Sequence, residues 1–530
     1  MNKNFIRKDG IMMRKVLTLL IITLLVTSFI TAGCTVSEKP SATQDSTTEA
    51  ASEETSAKEE KPVLKVLGTY TSTNLDEDFV SNLIAEKTGY KLEYHLLPEQ
   101  NADQKLMLEI SSGEYYDFLK ITPTQFGLLN SSGALLDITD LLHEYAPNVM
   151  KHVSEYGWKV TTTNGRIYGI PREANGLTEE SRFYGFKNNG LGVRSDILTE
   201  LDLELPTTMD ELYEFLAKIK NAKGGYPLTG SSPYEPSVLR GLGLDNAVEW
   251  YDVNGDYVPF IKMPALVDYL AYMQKLYKDE LLDNELPINK DENIKEKFIN
   301  GKSWARINYS IVSIQNDIGA LKENNPDALI HVITKIKKDP DTLPVIYDQT
   351  IAEVVECVPK SSKYPVDYVK YANLRSDLDL YLSVYLGIEG VSYYVENKDA
   401  PYPDYYPILP EFNKYGSGQA YYGFVPVGWR QNLWFARVRK VKEMGDEFER
   451  ANSDLKNQIT LKDLSAYSLG LPESQKYRAA LNTYITDELR KAIVEQTDPQ
   501  TAINNIIKEW EKMGGKELEE VIQKWYKDFK

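Results

Sequence analysis

From Val63 to Ile121 the sequence alternates short apolar runs with amphipathic ones, and that order constrains the fold more than any other feature. Val63–Leu67 predicts a strand. Asp76–Thr88 carries Phe79, Val80, Leu83 and Ile84 on one helical stripe and stops at Gly89, after which Leu92, Tyr94 and Leu96 alternate as a second strand. A second helix over Asp103–Ser112 ends at Gly113, and Phe118–Ile121 predicts the next strand. Strand–helix–strand–helix–strand at this spacing implies parallel pairing with helices on both faces, an α/β class. Such sheets bind ligands at the carboxyl ends of their strands, which points to the loops Gly68–Asn74 and Ile121–Gln125.

A second α/β region begins near Leu191. Thr208-Met209-Asp210-Glu211 is a capping box opening a helix with the stripe Leu212, Phe215, Leu216 and Ile219. Two amphipathic helices close the chain, one carrying Ile503, Ile506, Ile507, Trp510 and Met513, the other Leu518, Val521, Ile522, Trp525 and Phe529, with Gly514-Gly515 between. At 530 residues the chain exceeds what one core organises, since single cores stop growing near roughly 250–300 residues. Two lobes are therefore expected.

Residues 1–33 read as a signal peptide. Lys3, Arg7, Lys8, Arg14 and Lys15 form a basic head, and the run Val16–Ile30 is shorter than the ~20 residues a spanning helix needs. The start of translation stays open between Met1, Met12 and Met13. Thr31-Ala32-Gly33-Cys34 resembles a bacterial lipobox, with Thr31 where the pattern usually has Leu, which implies lipidation of Cys34 by diacylglycerol and fatty acids such as palmitate. Residues 34–61 then form a tether, because Thr35–Lys61 holds ten Ser/Thr, seven acidic residues and no aromatic, and so has nothing to bury. With Cys34 acylated, Cys357 has no partner for an intramolecular disulfide; its apolar run VVECVP predicts a buried structural thiol.

Composition removes other classes. The net charge of −18 opposes phosphate backbones, so nucleic-acid binding is not expected. The four His show no metal spacing, His143-Glu144 fails the H-e-x-x-H zinc pattern, and neither Gly241-Leu242-Gly243 nor Gly416-Ser417-Gly418 completes a dinucleotide fingerprint. Asp252-Val253-Asn254-Gly255-Asp256 lacks the twelve-residue calcium-loop pattern and predicts an Asn-Gly hairpin. No catalytic residue, metal or cofactor is expected. The 36 Tyr favour recognition of half-polar ligands, since each ring offers an apolar face and a hydroxyl.

Several blocks, in order along the chain, carry a resemblance: Gly133–Val149 (GALLDITDLLHEYAPNV), Asn164–Pro171 (NGRIYGIP), Val193–Leu212, Leu276–Asp283 (LYKDELLD), Phe298–Lys302 (FINGK), Val358–Pro365 (VPKSSKYP) and Gly387–Tyr393 (GIEGVSY). They resemble the bacterial extracellular solute-binding lipoproteins of carbohydrate ABC importers, of the family 1 type and similar to the LplA lipoprotein group. Some relatives carry a calcium loop where this chain reads KNAKGGYPL at Lys220–Leu228, without carboxylates, so no calcium is expected there. The resemblance implies a two-lobe, periplasmic-binding-protein-like (Venus flytrap) fold with a hinge of crossover strands. Lobe one is expected over 62–185 plus 345–405, and lobe two over 186–344 plus 406–530. It also implies a monomer, lipid-anchored at the extracellular face of the cell membrane, that captures a carbohydrate between its lobes and hands it to ABC permease subunits.

Sugars pair an apolar C–H face with a rim of hydroxyls, so candidate ligand-binding residues are aromatics and hydrogen-bonding side chains near turns. These are Tyr70 and Asn74 after the first strand, Asp117 before the third, Arg172 after Gly169-Ile170-Pro171, Trp304, Arg306 and Tyr309 after Gly301, and Trp429-Arg430 in a Gly/aromatic segment. A surface glycoside hydrolase with paired carboxylates, a sensor without transport, and a peptide ligand stay open as alternatives at this stage.

Overall fold

The computed structural model describes residues 61–174, 185–349, 351–421 and 423–530; the expected signal peptide, Cys34 and nearly all of the tether lie outside the described residues. In chain order the strands are β1 (Leu64–Gly68), β2 (Leu92–Leu96), β3 (Phe118–Ile121), β4 (Gly169–Ala174), β5 (Asn189–Arg194), β6 (Leu228–Thr229), β7 (Ala305–Ser310), β8 (Ile330–Ile333), β9 (Val345–Gln349), β10 (Ile351–Cys357) and β11 (Ile459–Asp463), with short hairpins besides.

The first sheet runs β2-β1-β3-β10-β4. As the sequence predicts, β2, β1 and β3 pair in parallel, through the helices Phe79–Thr88 and Ala102–Ser111. Asp78 caps the first of these by accepting from Val80 N (2.9 Å) and Ser81 N (3.3 Å), and Gly89, at φ 75°, ends it in the left-handed region that glycine enters at no steric cost. β10 then lies antiparallel to both β3 and β4, so β4 points the same way as β3. Alternation sends Val66, Phe118 and Ile170 to one core, with Val149, Tyr368 and Val369, and Leu67, Leu119, Ile121, Val355 and Cys357 to the other, with Leu106, Phe126 and Leu129. Cys357 is buried in its strand, and burial pushes its thiol pKa up, far from a reactive thiolate.

The second sheet runs β8-β5-β7-β6. Leu191 and Val193 of β5 face Leu212, Phe215, Leu216 and Ile219, the predicted stripe of the helix Met209–Lys223, and the same core takes Ile503, Ile506, Trp510, Leu518 and Ile522 from the closing helices. The Thr208/Glu211 capping box forms in both directions. Asn254 and Gly255, both at positive φ, turn the expected hairpin between Trp250–Val253 and Asp256–Pro259.

Between the sheets, β9 and β11 pair in parallel as a two-stranded link. Beyond residue 405, where lobe two is expected to resume, the chain still packs on the first sheet. Tyr421 and Phe424 are buried in the first sheet's core, the Tyr421 hydroxyl donates to Leu75 O at 3.3 Å, and a Cβ on Gly423 would lie 1.7 Å from Arg375 O. The helix Val427–Val438 is what leaves this lobe: its Leu433 belongs to the cluster with Tyr381 and Tyr385, its Phe435 and Val438 to the cluster with Tyr309 and Val332. Among the described residues, no helix is long and apolar enough to cross a membrane.

Candidate functional site

At the carboxyl ends of β1 and β3 the inward-facing residues stop being apolar. On one face of the sheet Val66 gives way to Gly68, Phe118 to Lys120 and Ile170 to Arg172, each two residues on and therefore on the same side. Gly68, Lys120 and Glu356 share a row of the register, and Arg172 pairs with Val354 two residues further along, on the same face. Above this row a cavity of about 350 Å³ opens, lined by the Gly68–Leu75 loop, Tyr94 and Leu96 of β2, Lys120, Arg172, Val354, Gly416 and Ser417. The loop comes from the first of the two segments that the fold class points to. Ile121–Gln125 does not contribute: Thr122 and Gln125 cap the helix Pro123–Ser131 reciprocally, and the Gln125 amide donates to Asp103 at 2.8 Å.

The floor is a charged network. Glu356, fully buried, accepts from both arms of Arg375 (Nη1–Oε1 3.1 Å, Nη2–Oε2 2.5 Å). A bulge in β10 between Ala352 and Val354 turns Glu353 toward two other guanidiniums, Arg172 at 3.2 Å and Arg430 at 2.6 Å. Burial opposes ionisation of Glu353, but Arg430 and Arg172 outweigh it and hold the carboxyl below the usual range. Arg430 also donates to Glu173 O, fastening the first turn of Val427–Val438 to β4. Lys120 is pulled down to about 7, first by burial and then by Arg172. Burial, with Tyr371 and Tyr421 nearby, keeps the Tyr94 hydroxyl protonated far above the usual phenol range. The Ser417 hydroxyl donates to Asp78 Oδ2 at 2.7 Å, tying the Glu411–Tyr421 segment to the cap of Phe79–Thr88.

Of the expected residues, Tyr70 and Arg172 line the cavity, and Arg430 joins it through Glu353. Asn74 lies on the same loop with its amide on Glu77 (3.2 Å), outside the lining. Asp117 lies at the opposite, amino end of β3, fully buried, where it accepts from the backbone N–H of Lys65 (2.9 Å), Lys363 (3.3 Å) and Tyr364 (3.2 Å) and from the Tyr115 hydroxyl; it is a bracket between strand and loop. Trp304 packs on the second lobe's main core, Tyr309 is buried with its hydroxyl on Asp317 (3.0 Å), and Arg306 lies over the Tyr309 ring between Asp291 and Asp317. Gly301, at φ 69°, turns the chain into β7, whose alternation then buries Ala305, Ile307 and Tyr309. Trp429 packs edge-on to Tyr402 at 5.7 Å, away from the cavity. Sequence reasoning missed Lys120, Tyr94, Glu353 and Ser417; the one signal in the sequence was a lysine inside the apolar strand FLKI.

Residues 82–368 match the profile of the family described as bacterial extracellular solute-binding protein. Among curated proteins, the chain is similar to lipoprotein LipO of Bacillus subtilis, 21% identical over 512 residues that cover 90% of this chain and 94% of that one. It is also similar to the polygalacturonan/rhamnogalacturonan-binding protein YtcQ of the same organism, 23% identical over 58% of this chain and 62% of that one. Among solved structures, the Streptococcus pneumoniae ABC-transporter substrate-binding protein FusA in complex with kestose superposes with a TM-score of 0.62 at 16% identity, over 88% of this chain and 99% of that one. The profile match spans more than half of the chain, and the two-sheet architecture agrees with it: the chain belongs to the family of bacterial extracellular solute-binding proteins.

Proposed function

We propose that this chain is the substrate-binding component of a carbohydrate ABC importer, held by a lipid on Cys34 at the outer face of the cell membrane. The observation that carries the reading is the cavity at the carboxyl ends of β1 and β3, where the Tyr70 and Tyr94 rings meet the hydroxyls of Thr69, Thr71 and Thr73 and the Arg172 fork. Rings that cover C–H faces and donors that meet hydroxyls are what a saccharide needs, and such a site holds its ligand without chemistry. The FusA–kestose complex, a binding protein with an oligosaccharide, supports the same class. The β9–β11 link, with the helix Val427–Val438 leaving the first lobe, supplies the crossovers about which two lobes close on a ligand before delivery to a permease.

A thermal-shift screen of oligosaccharides tests this directly, because a ligand at 100 times its Kd adds ~2.7 kcal/mol to the folded state. The bound sugar is recovered intact; turnover seen by chromatography would move the chain to the hydrolases. For the anchor, Cys34→Ala abolishes membrane labelling by a palmitate analogue, and labelling that survives the substitution would refute the lipid site.

A further inference from the structure

The helix Glu155–Thr161 is tied to the first sheet at its cap, where Ser154 N donates to the Glu173 carboxylate of β4 at 2.9 Å. The helix Lys516–Phe529 is seated in the second sheet's core by Leu518, Ile522 and Tyr526. Where the two helices meet, Lys159 Nζ donates to Phe529 O at 2.9 Å and stands 5.1 Å from the centre of the Phe529 ring. That acceptor is one of the carbonyls a helix end leaves without an internal partner, so a cation from the first sheet's side caps the last turn. The Tyr156 ring lies 6.2 Å from Phe529 and 6.0 Å from Tyr467, and Lys462 of β11 stands 3.8 Å over it. Among the described residues, Tyr156, Tyr467 and Phe529 join none of the apolar clusters that fix either sheet.

We propose that this ring cluster is a reversible latch: Lys159 and Tyr156 on one side, Phe529 and Tyr467 on the other, hold the two lobes together in the ligand-free protein and set how often they part. Half-buried Tyr156 and Phe529, with cations over their rings, favour the latched form. One group at the same place favours release. The Tyr467 hydroxyl is buried without a hydrogen-bond partner, and parting the lobes lets water reach it. A cavity of about 210 Å³ lies beside the rings, walled by Phe126, Gly127 and Asn130 of the helix Pro123–Ser131 and by Tyr467, Trp525 and Phe529. The contact is therefore not filled as a core is, and separating it breaks no close-packed interior. The paired strands β9 and β11 between the sheets keep the chain connected while the latch opens. The latch acts before any ligand arrives, so the inference stands apart from the carbohydrate reading.

Small-angle X-ray scattering and hydrogen–deuterium exchange on the full chain, without ligand, test this. The parent scatters as the latched arrangement does. Lys159→Met, a change at a half-buried position, gives a larger radius of gyration, with exchange about tenfold or more faster in both Glu155–Thr161 and Ser465–Ser468 and unchanged in Phe118–Ile121. Tyr156→Ala has the same effect through the ring, and circular dichroism of both variants matches the parent's. Lys159→Arg keeps the donor and the cation and behaves as the parent. Faster exchange in Lys159→Met with scattering unchanged would reduce the contact to local fraying and overturn the latch. Unchanged exchange and scattering in both variants would overturn it too, as would a parent already as expanded as Lys159→Met. Expansion of Lys159→Arg to the same extent would overturn the assignment of Lys159 as the catch.

Discussion

Removing the guanidinium of Arg375 tests the floor of the site. Glu356 has no solvent exposure and Arg375 only 6%, so their two hydrogen bonds hold a carboxylate that water cannot reach, with the Tyr368 hydroxyl a longer third partner at 3.4 Å. Breaking a buried pair from one side costs ~3–5 kcal/mol, because the remaining charge is left uncompensated. Lys120, cross-strand from Glu356, recovers part of this, so Arg375→Met falls at the lower end, about 3 kcal/mol. Arg375→Met combined with Glu356→Gln removes both charges and costs less than the two single changes added together, with a coupling of about 2 kcal/mol or more. Urea unfolding of the four proteins, followed by circular dichroism, gives the cycle. A single-mutant cost below about 1 kcal/mol, or additivity within about 0.5 kcal/mol, would refute the claim that this is a coupled buried ion pair.

Asp117→Ala strips the acceptor from three backbone N–H groups and should lower stability by roughly 3 kcal/mol while the surviving folded protein binds ligand as before, measured by denaturation and calorimetry on the same preparation. Trp304→Ala should likewise lower the unfolding temperature with affinity unchanged, whereas Tyr70→Ala, with Tyr70 52% exposed at the cavity, should weaken binding about tenfold and leave the unfolding temperature near its original value. Gly68→Leu should abolish binding with little loss of stability: a Cβ there meets only Leu96 at 3.7 Å, while the rest of the side chain would fill the cavity, and ligand titration of a variant with unchanged circular dichroism checks it.

Much of the local structure was legible because its helices and turns have local causes. Gly89 and Gly113 end helices where the stripes end, and Asn164-Gly165 and Asn254-Gly255 turn hairpins through positive φ that few other pairs adopt. The course of the chain before the helix Val427–Val438 was not legible. From Asp404 to Pro426 the chain has Tyr, Pro and Gly without period, and what brings it onto the first sheet is tertiary: Tyr421 and Phe424 enter a core shared with Val66, Phe118 and Tyr368, far back in the sequence, and Gly423 is pressed on the Arg375 carbonyl. The site divided in the same way. Tyr70 follows from the rule that ligands lie at carboxyl strand ends, but Trp304 follows a similar glycine turn and instead joins the core, because the turn opens onto a different sheet. Glu353 was invisible, since only the bulge in β10 turns it toward Arg172 and Arg430.

The register of β3 links folding to the site. Successive residues of FLKI face opposite sides, so Phe118 and Lys120 share one side while Leu119 and Ile121 share the other. Phe118 stacks on Tyr368 at 4.6 Å and seals the core; Lys120, two residues on, lies past the cover of the helices and meets the cavity. A one-residue slip would drive Lys120 into the cluster of Leu106, Phe126 and Leu129 and expose Leu119 and Ile121 on the other side, an exchange no polar partner there could offset. The same holds for Ile170 and Arg172 in β4. The apolar residue that fixes each strand in its core thus also fixes, at a spacing of two, the cation that reaches the cavity. The charge of the cavity floor is set by the alternation that folds the sheet.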